Sequence, residues 1–401
     1  MAETGLTTAT ITTARSAAEI EGLLDPWRSL PWSRIETDPE FFLTVCETRP
    51  EVIAPHVILV ERDRRAVAMA VGRLEDVPLE LRVGYKVLAA PTVRSLTLVN
   101  GGMAGVDDAA LELLARELLG CLDRREADVL NMAKLELGSP AHEIAALRAP
   151  ALRRRRFAGI SPRLRVSIPS SFDAFLEERS WNTRRNLTKH GKRFVKEFDG
   201  RFMIESFDST GDFDRLVHDM AELNAKTYKG GLGVGFQNDA EHRLIVERCA
   251  HRGIFRAQLL SIDGEPKAFW CGFRYGGGFF SWLTAYDPEL AAYRIGEFLM
   301  ASLFRQLCDD PEVRFLDWGF GDAQYKRSFS DECLLEQDVV VFAPTVKGLA
   351  TNLLLSCFGG FEHAVRRAIA DRELGRRLKR GWRRRLAADA EATSHTPPEP
   401  A

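Results

Sequence analysis

The sequence predicts an α+β protein in which one unit, antiparallel strands followed by a helix and a closing strand, occurs twice. Three observations carry this. The stretch 253–318 reads as three antiparallel strands, a helix and a strand able to pair in parallel with the third. The first third of the chain repeats that order. At roughly 100–200 residues per domain, 401 residues leave room for two domains and an appendage.

The second unit has the clearer pattern. Residues 253–261 alternate, Asp263-Gly264 makes a tight turn, and 267–275 return as an apolar, aromatic strand. Gly276-Gly277-Gly278 turns the chain into a third strand, 279–286. Residues 292–308 carry helical spacing, with Ile295, Phe298, Leu299, Ser302, Leu303 and Gln306 on one face, and a short strand follows at 314–318. In the first unit, 56–61 and 66–74 form a hairpin across Asp63-Arg64; a strand at 95–99, a helix at 107–122 and a strand at 128–132 follow. Setting Leu98 against Thr284 brings Leu130 onto Leu316, so the spacing repeats although few identities do.

Between the units, a strand at 163–168 links the halves. After it, Ser170-Ser171 caps a helix, and 179–196 hold seven Lys/Arg and no acid. On a helix Arg185, Lys189, Lys192 or Arg193, and Lys196 form a row, while Trp181 and Phe194 can turn inward. Past the second unit, apolar 349–361 lead into 363–385, where ten Lys/Arg face two acids and Val365, Ile369, Leu374 and Leu378 share a helical face. The expected organisation is a first half at 1–160, a second at 161–344, a basic amphipathic extension at 345–387 and a disordered tail at 388–401.

Composition narrows the function. The chain is 45% hydrophobic and 28% charged, which excludes a disordered or fibrous protein. Its 55 Lys+Arg against 57 Asp+Glu give a net charge of −2, so there is no global nucleic-acid signature. Seven scattered Cys without a CxxC pair offer no metal-site spacing and fit a reducing cytosol, so no metal and a cytoplasmic location are expected. The N-terminus lacks the pattern of a signal peptide, and no apolar run reaches the roughly 18–20 residues a membrane span requires.

Two constellations carry chemistry. The helix that opens around Ala291-Ala292-Tyr293-Arg294-Ile295-Gly296-Glu297 presents unpaired amides and a positive dipole end to an anion; Gly296 lets the backbone approach and Arg294 adds charge. Glu297 is either a base or simple dipole compensation. The second is Asp317-Trp318-Gly319-Phe320-Gly321-Asp322-Ala323-Gln324-Tyr325-Lys326, where a strand dissolves into a glycine-rich turn at the carboxyl edge of the sheet. There Asp317 or Asp322 can accept a proton, and Tyr325 and Lys326 can donate to a leaving group or anion.

The stretch 268–329, with Thr284-Ala285-Tyr286-Asp287-Pro288, Arg294-Ile295-Gly296 and the D-x-G-x-G-D-x-x-Y-K-x-x-F string, resembles GNAT-type acyltransferases of the CelD/FemAB-like branch. The basic helix from Trp181 to Arg193 looks like the block that opens the same domain. The resemblance implies tandem GNAT-like domains, each a mixed, mainly antiparallel sheet flanked by helices. It also implies acyl transfer from acetyl-CoA or another acyl-CoA to an amine or hydroxyl on a sugar, polysaccharide or envelope precursor, of the kind associated with exopolysaccharide genes. Asp317, Tyr325, Lys326 and Asp322 would be catalytic. Tyr286, Arg294, Ile295, Gly296 and Glu297 would hold the donor, and Arg185, Lys189 and Trp282 would touch substrate. The sequence departs from the family's phosphate loop at Phe298, where a second small residue would stand. The alternatives are a tRNA-dependent aminoacyltransferase of FemAB type, with the basic helix tracking phosphates, and a non-catalytic GNAT-fold partner in exopolysaccharide assembly. The extension 349–385 can also lie on the inner membrane surface.

Overall fold

A computed structural model describes residues 9–357 except 80, 84–85, 157, 209–210, 232, 234, 320 and 322. In chain order the strands are β1 (Ala9–Ala14), β2 (Val52–Arg62), β3 (Arg65–Pro78), β4 (Leu81–Val83), β5 (Lys86–Ala89), β6 (Thr92–Gly105) and β7 (Val129–Glu136). They continue with β8 (Ile160–Ser167), β9 (Phe202–Phe207), β10 (Phe255–Ile262), β11 (Glu265–Tyr275), β12 (Gly278–Tyr286), β13 (Phe315–Asp317) and β14 (Glu332–Phe342). Twelve of them form one mixed sheet in the order β1-β2-β3-β6-β7-β14-β8-β13-β12-β11-β10-β9, and β4 and β5 pair apart from it.

The order shows the repeat. The antiparallel run β1-β2-β3-β6 followed by parallel β7 is mirrored by β9-β10-β11-β12 followed by parallel β13. At the centre the halves exchange strands. β8, which follows the first unit, pairs with β13 of the second; β14, which follows the second, pairs with β7 of the first. β8 and β14 pair with each other, closing the sheet. This is the α+β tandem arrangement expected, with most pairings antiparallel.

The hairpins follow from turn chemistry. Asp63 and Arg64, Asp263 and Gly264, and Gly276 and Gly277 all have positive φ, as two-residue turns matching the sheet's right-handed twist require. The equal spacing of Leu98–Leu130 and Thr284–Leu316 is not the paired register. The parallel partners are Leu96 with Leu130 and Phe279 with Leu316. The second connection is longer because a 3₁₀ turn, Pro288–Tyr293, precedes its helix, which begins at Ile295 instead of residue 292.

Helices cover both faces. In the second half, Phe172–Glu177, Trp181–Phe198 and Ile295–Cys308 bury Phe175, Phe194, Leu299 and Phe304 against one face. Phe213–Ala225 and Ala240–His251 bury Leu216, Met220 and Ile245 against the other. In the first half, Asp108–Asp123 is capped by Asp107 and packs Leu111, Leu114 and Leu118 on β2, β3 and β6. Helix Pro39–Thr48 bridges the halves, with Phe42 in the first core and Phe41 and Val45 in the second. Phe194 is buried as expected, but Trp181 is 61% exposed and lies under the Arg185 guanidinium at 4.9 Å.

Candidate active site

The site begins where two parallel strands part. β12 has nine residues, but only Gly278, Phe279 and Phe280 pair with β13, which stops at Asp317. From Ser281 onward that edge of β12 has no strand beside it among the described residues. On its other edge the register slips, Cys271 pairing with Leu283 but Gly272 with Ser281, so Trp282 and Leu283 fall on one face. Such a bulge bends a strand and resets its alternation. After it, Thr284 and Tyr286 face the same side as Trp270, whose indole N–H donates to Ser281 Oγ at 2.8 Å.

The helix Ile295–Cys308 aims its amino end at this fork. Arg294, its N-cap, is left-handed (φ 56°, ψ 37°) and makes no side-chain cap bond; the Glu297 and Phe298 amides donate to its carbonyl, and the Gly296 amide is left for a ligand. Gly296 lies against the Tyr286 ring: a Cβ there would sit 3.2 Å from Tyr286 Cδ1. The Arg294 guanidinium donates to Glu297 at 3.1 Å and remains 57% exposed. Ile295, expected to hold the donor, is fully buried, backbone included, and does not line the cleft. Phe298 turns away from the fork to pack on Phe194 and Phe202, ring centroids 4.4 and 5.7 Å away.

Two more helices close a cleft of about 970 Å³ around these groups. Gln324–Phe329 contributes Gln324, Tyr325 and Ser328; Trp181–Phe198 contributes Thr183, Asn186, Leu187 and His190. The Tyr325 ring stands edge-on to Trp270 and Trp318, centroids 6.3 and 6.0 Å away, and burial pushes its hydroxyl up to about 12. His190 Nδ1 is buried without a hydrogen-bond partner. Its signal in the sequence was spacing: Thr183, Asn186, Leu187 and His190 form a helical face free of Lys and Arg beside the basic row.

Tyr325, Tyr286, Arg294, Gly296 and Glu297 therefore meet in one cleft, whereas several expected residues do not. Asp317 lies on the opposite face of the sheet. Alternation sends Leu316 into the core under the cleft and Asp317 to the far side, where Arg163 and Arg165 hold it and the Gly319 amide donates to it. Lys326 is buried and donates its ammonium to the Trp318 carbonyl at 2.7 Å, so it braces the turn. Asp322 lies outside the described residues. Trp282, placed on the far face by the bulge, stacks on His242 and packs with Phe236 and Phe273. Arg185 and Lys189 are exposed on the basic face, and neither lines the cleft.

Residues 182–327 match the family model described as the acetyltransferase (GNAT) domain. No curated protein matches the chain. Among solved structures the chain is similar to FemX at 10% identity, with a TM-score of 0.55 and coverage of 82% of this chain and 97% of that one. It is also similar to a tandem GNAT protein from the clavulanic acid biosynthesis pathway (12% identity, TM-score 0.49, 84% and 99% covered). A third is L-PGS from Bacillus licheniformis (12%, 0.44, 74% and 87%). The forked strands, the open helix end and the family match agree: residues 182–327 are a GNAT acetyltransferase domain, and the chain is an acyltransferase of that fold.

Proposed function

We propose that the chain transfers an acyl group from an acyl-CoA thioester to an amino or hydroxyl group of a sugar, polysaccharide or envelope precursor, within a second half at 161–344 whose β14 pairs with β7 of the first. The observation that carries this reading is that Tyr325 and the Gly296 turn line one cleft at the fork of β12 and β13.

The residues fit such a donor. The Gly296 amide at the open helix end, with Arg294, suits a pyrophosphate, and the absence of a side chain at Gly296 lets it approach beside Tyr286. The unpaired edge of β12 offers backbone N–H groups to a thioester carbonyl, the geometry that stabilises a developing oxyanion. The acceptor's nitrogen or oxygen attacks that carbonyl carbon, the carbon–sulfur bond breaks, and Tyr325 gives its proton to the departing sulfur. His190 Nδ1, partnerless in the apo cleft, accepts the proton lost by the acceptor. Asp317 and Lys326 hold the turn instead of acting on protons.

A second reading, a tRNA-borne donor, is favoured by one observation. An adjoining hollow of about 470 Å³ shares His190, Arg294 and Glu297 with the cleft and is ringed by Lys192, Lys196 and Arg305. Thermal shift with acetyl-CoA, longer acyl-CoAs and free CoA tests the first reading, because a donor raises the melting temperature by mass action. No shift with any of them, and transfer abolished by nuclease and steeply weakened by salt, would replace it with the second. His190→Gln lowers turnover at least about tenfold if the proton assignment holds.

A further inference from the structure

The helix formed by residues 346–357 is inverted relative to a normal surface helix. Its inward face carries Gly348, Asn352 and Leu355. Its outward face carries Val346, Leu349, Leu353 and Leu354, which are 87%, 43%, 65% and 49% exposed. The rotation is fixed by bonds: the buried Asn352 amide donates to the Leu152 carbonyl at 2.9 Å, and Leu355 packs on the cluster of Val340 and Phe342. Leu152, in the loop that Asn352 grips, is itself 78% exposed. Surface leucines scattered singly are ordinary, but a stripe at steps of three and four opposite a buried Asn is a surface meant to be covered.

What covers it is indicated by charge. The chain continues from this helix into 363–385, with ten Lys/Arg and two acids. We propose that the stripe docks on an anionic lipid bilayer, lying in the plane of the headgroups with its leucines at the acyl boundary, the positive charge of the sequence that follows favouring anionic lipid. Among the described residues no helix is long and apolar enough to cross a membrane, so the contact is interfacial.

The test uses the full chain and a variant carrying both Leu353→Glu and Leu354→Glu. Co-sedimentation is measured with vesicles of phosphatidylglycerol and phosphatidylcholine, and with phosphatidylcholine alone; mass is measured by light scattering and melting temperature by calorimetry. The expected result is binding of the wild type to the anionic vesicles, weakened by salt, and reduced at least about tenfold in the variant. Mass and melting temperature stay unchanged. Equal binding by both proteins, or no binding by the wild type, overturns the proposal. So does a dimeric wild type that the variant dissociates, which would make the stripe a self-interface. A large drop in the variant's melting temperature would show that the chain's own remaining residues cover the stripe, and overturns it equally.

Discussion

The Asp317 carboxylate of β13 accepts hydrogen bonds from Arg163 and Arg165 of β8, on the face of the sheet turned away from the cleft. Arg163 also lies 3.6 Å from Glu336 of β14, which pairs with Arg34 from the first half. Five charged side chains thus tie together the strands exchanged at the centre of the sheet. Burial, then the neighbouring Arg163, lowers Arg34 to about 10.

Removing one partner of such a buried set leaves charge uncompensated, at a cost of about 3–5 kcal/mol. Asp317→Asn is therefore expected to lower the unfolding free energy by that order in urea titrations, with turnover per folded molecule unchanged. A variant of wild-type stability that loses turnover about tenfold or more would return Asp317 to the catalytic role the sequence suggested.

Tyr325→Phe separates binding from chemistry. Its turnover is expected to fall about tenfold to a hundredfold while affinity for free CoA holds. Because burial raises the folded hydroxyl to about 12 against an ordinary value near 10, the unfolded chain ionises first as pH rises. Stability is thus intact below about 10 and declines between about 10 and about 12, and Tyr325→Phe removes that part of the decline. Tyrosinate absorbance during alkaline titration checks it directly: among six tyrosines, Tyr325 and Tyr275 should ionise late, and the variant should lose one late step.

The repeat was legible because it rests on local signals: three two-residue turns and two helices with apolar faces. The Gly296 turn and Tyr325 were legible as chemistry because their residue types are costly to explain by packing. Two things were hidden. The bulge at Trp282 is marked only on the facing strand, by Gly272, where a Cβ would collide with the Phe280 carbonyl; it moves Trp282 off the cleft while bringing Thr284 and Tyr286 onto it. Strand β13 is only three residues long, too short for alternation to reveal that Asp317 and the Tyr325 turn leave the sheet on opposite faces. His190 was submerged in a run of basic residues, where charge masked a neutral face.

Gly296 offers a graded test of the donor site. A Cβ would sit 3.2 Å from the Tyr286 ring, tighter than ordinary contact but against a side chain that is 42% exposed and free to give way. Gly296→Ala should weaken CoA binding modestly. Gly296→Val, whose branched side chain also fills the anion's approach, should weaken it at least about tenfold, with melting temperature little changed. Combining Gly296→Ala with Tyr286→Ala should restore part of the affinity if the clash is with that ring; isothermal titration with CoA reads all three. Unaltered affinity in Gly296→Val would place the donor elsewhere.

A pH dependence far from the cleft follows from His56 in β2. It is 2% exposed, and burial foremost, with Arg15 and Arg124 nearby, lowers it to about 4. Glu126 and Glu117 work in the opposite sense without reversing this. The unfolded chain takes up the proton near the ordinary value of about 6.5, so between there and about 4 it binds more protons than the folded chain, and stability falls as pH falls. The full difference is about 3 kcal/mol. His56→Gln, which cannot titrate, should therefore show a shallower loss of stability than wild type on acidification across that window, as measured by urea unfolding at several pH values. Parallel pH profiles for the two proteins would mean that His56 takes up its proton within the folded core, with Glu126 as the counter-charge that swings in to receive it.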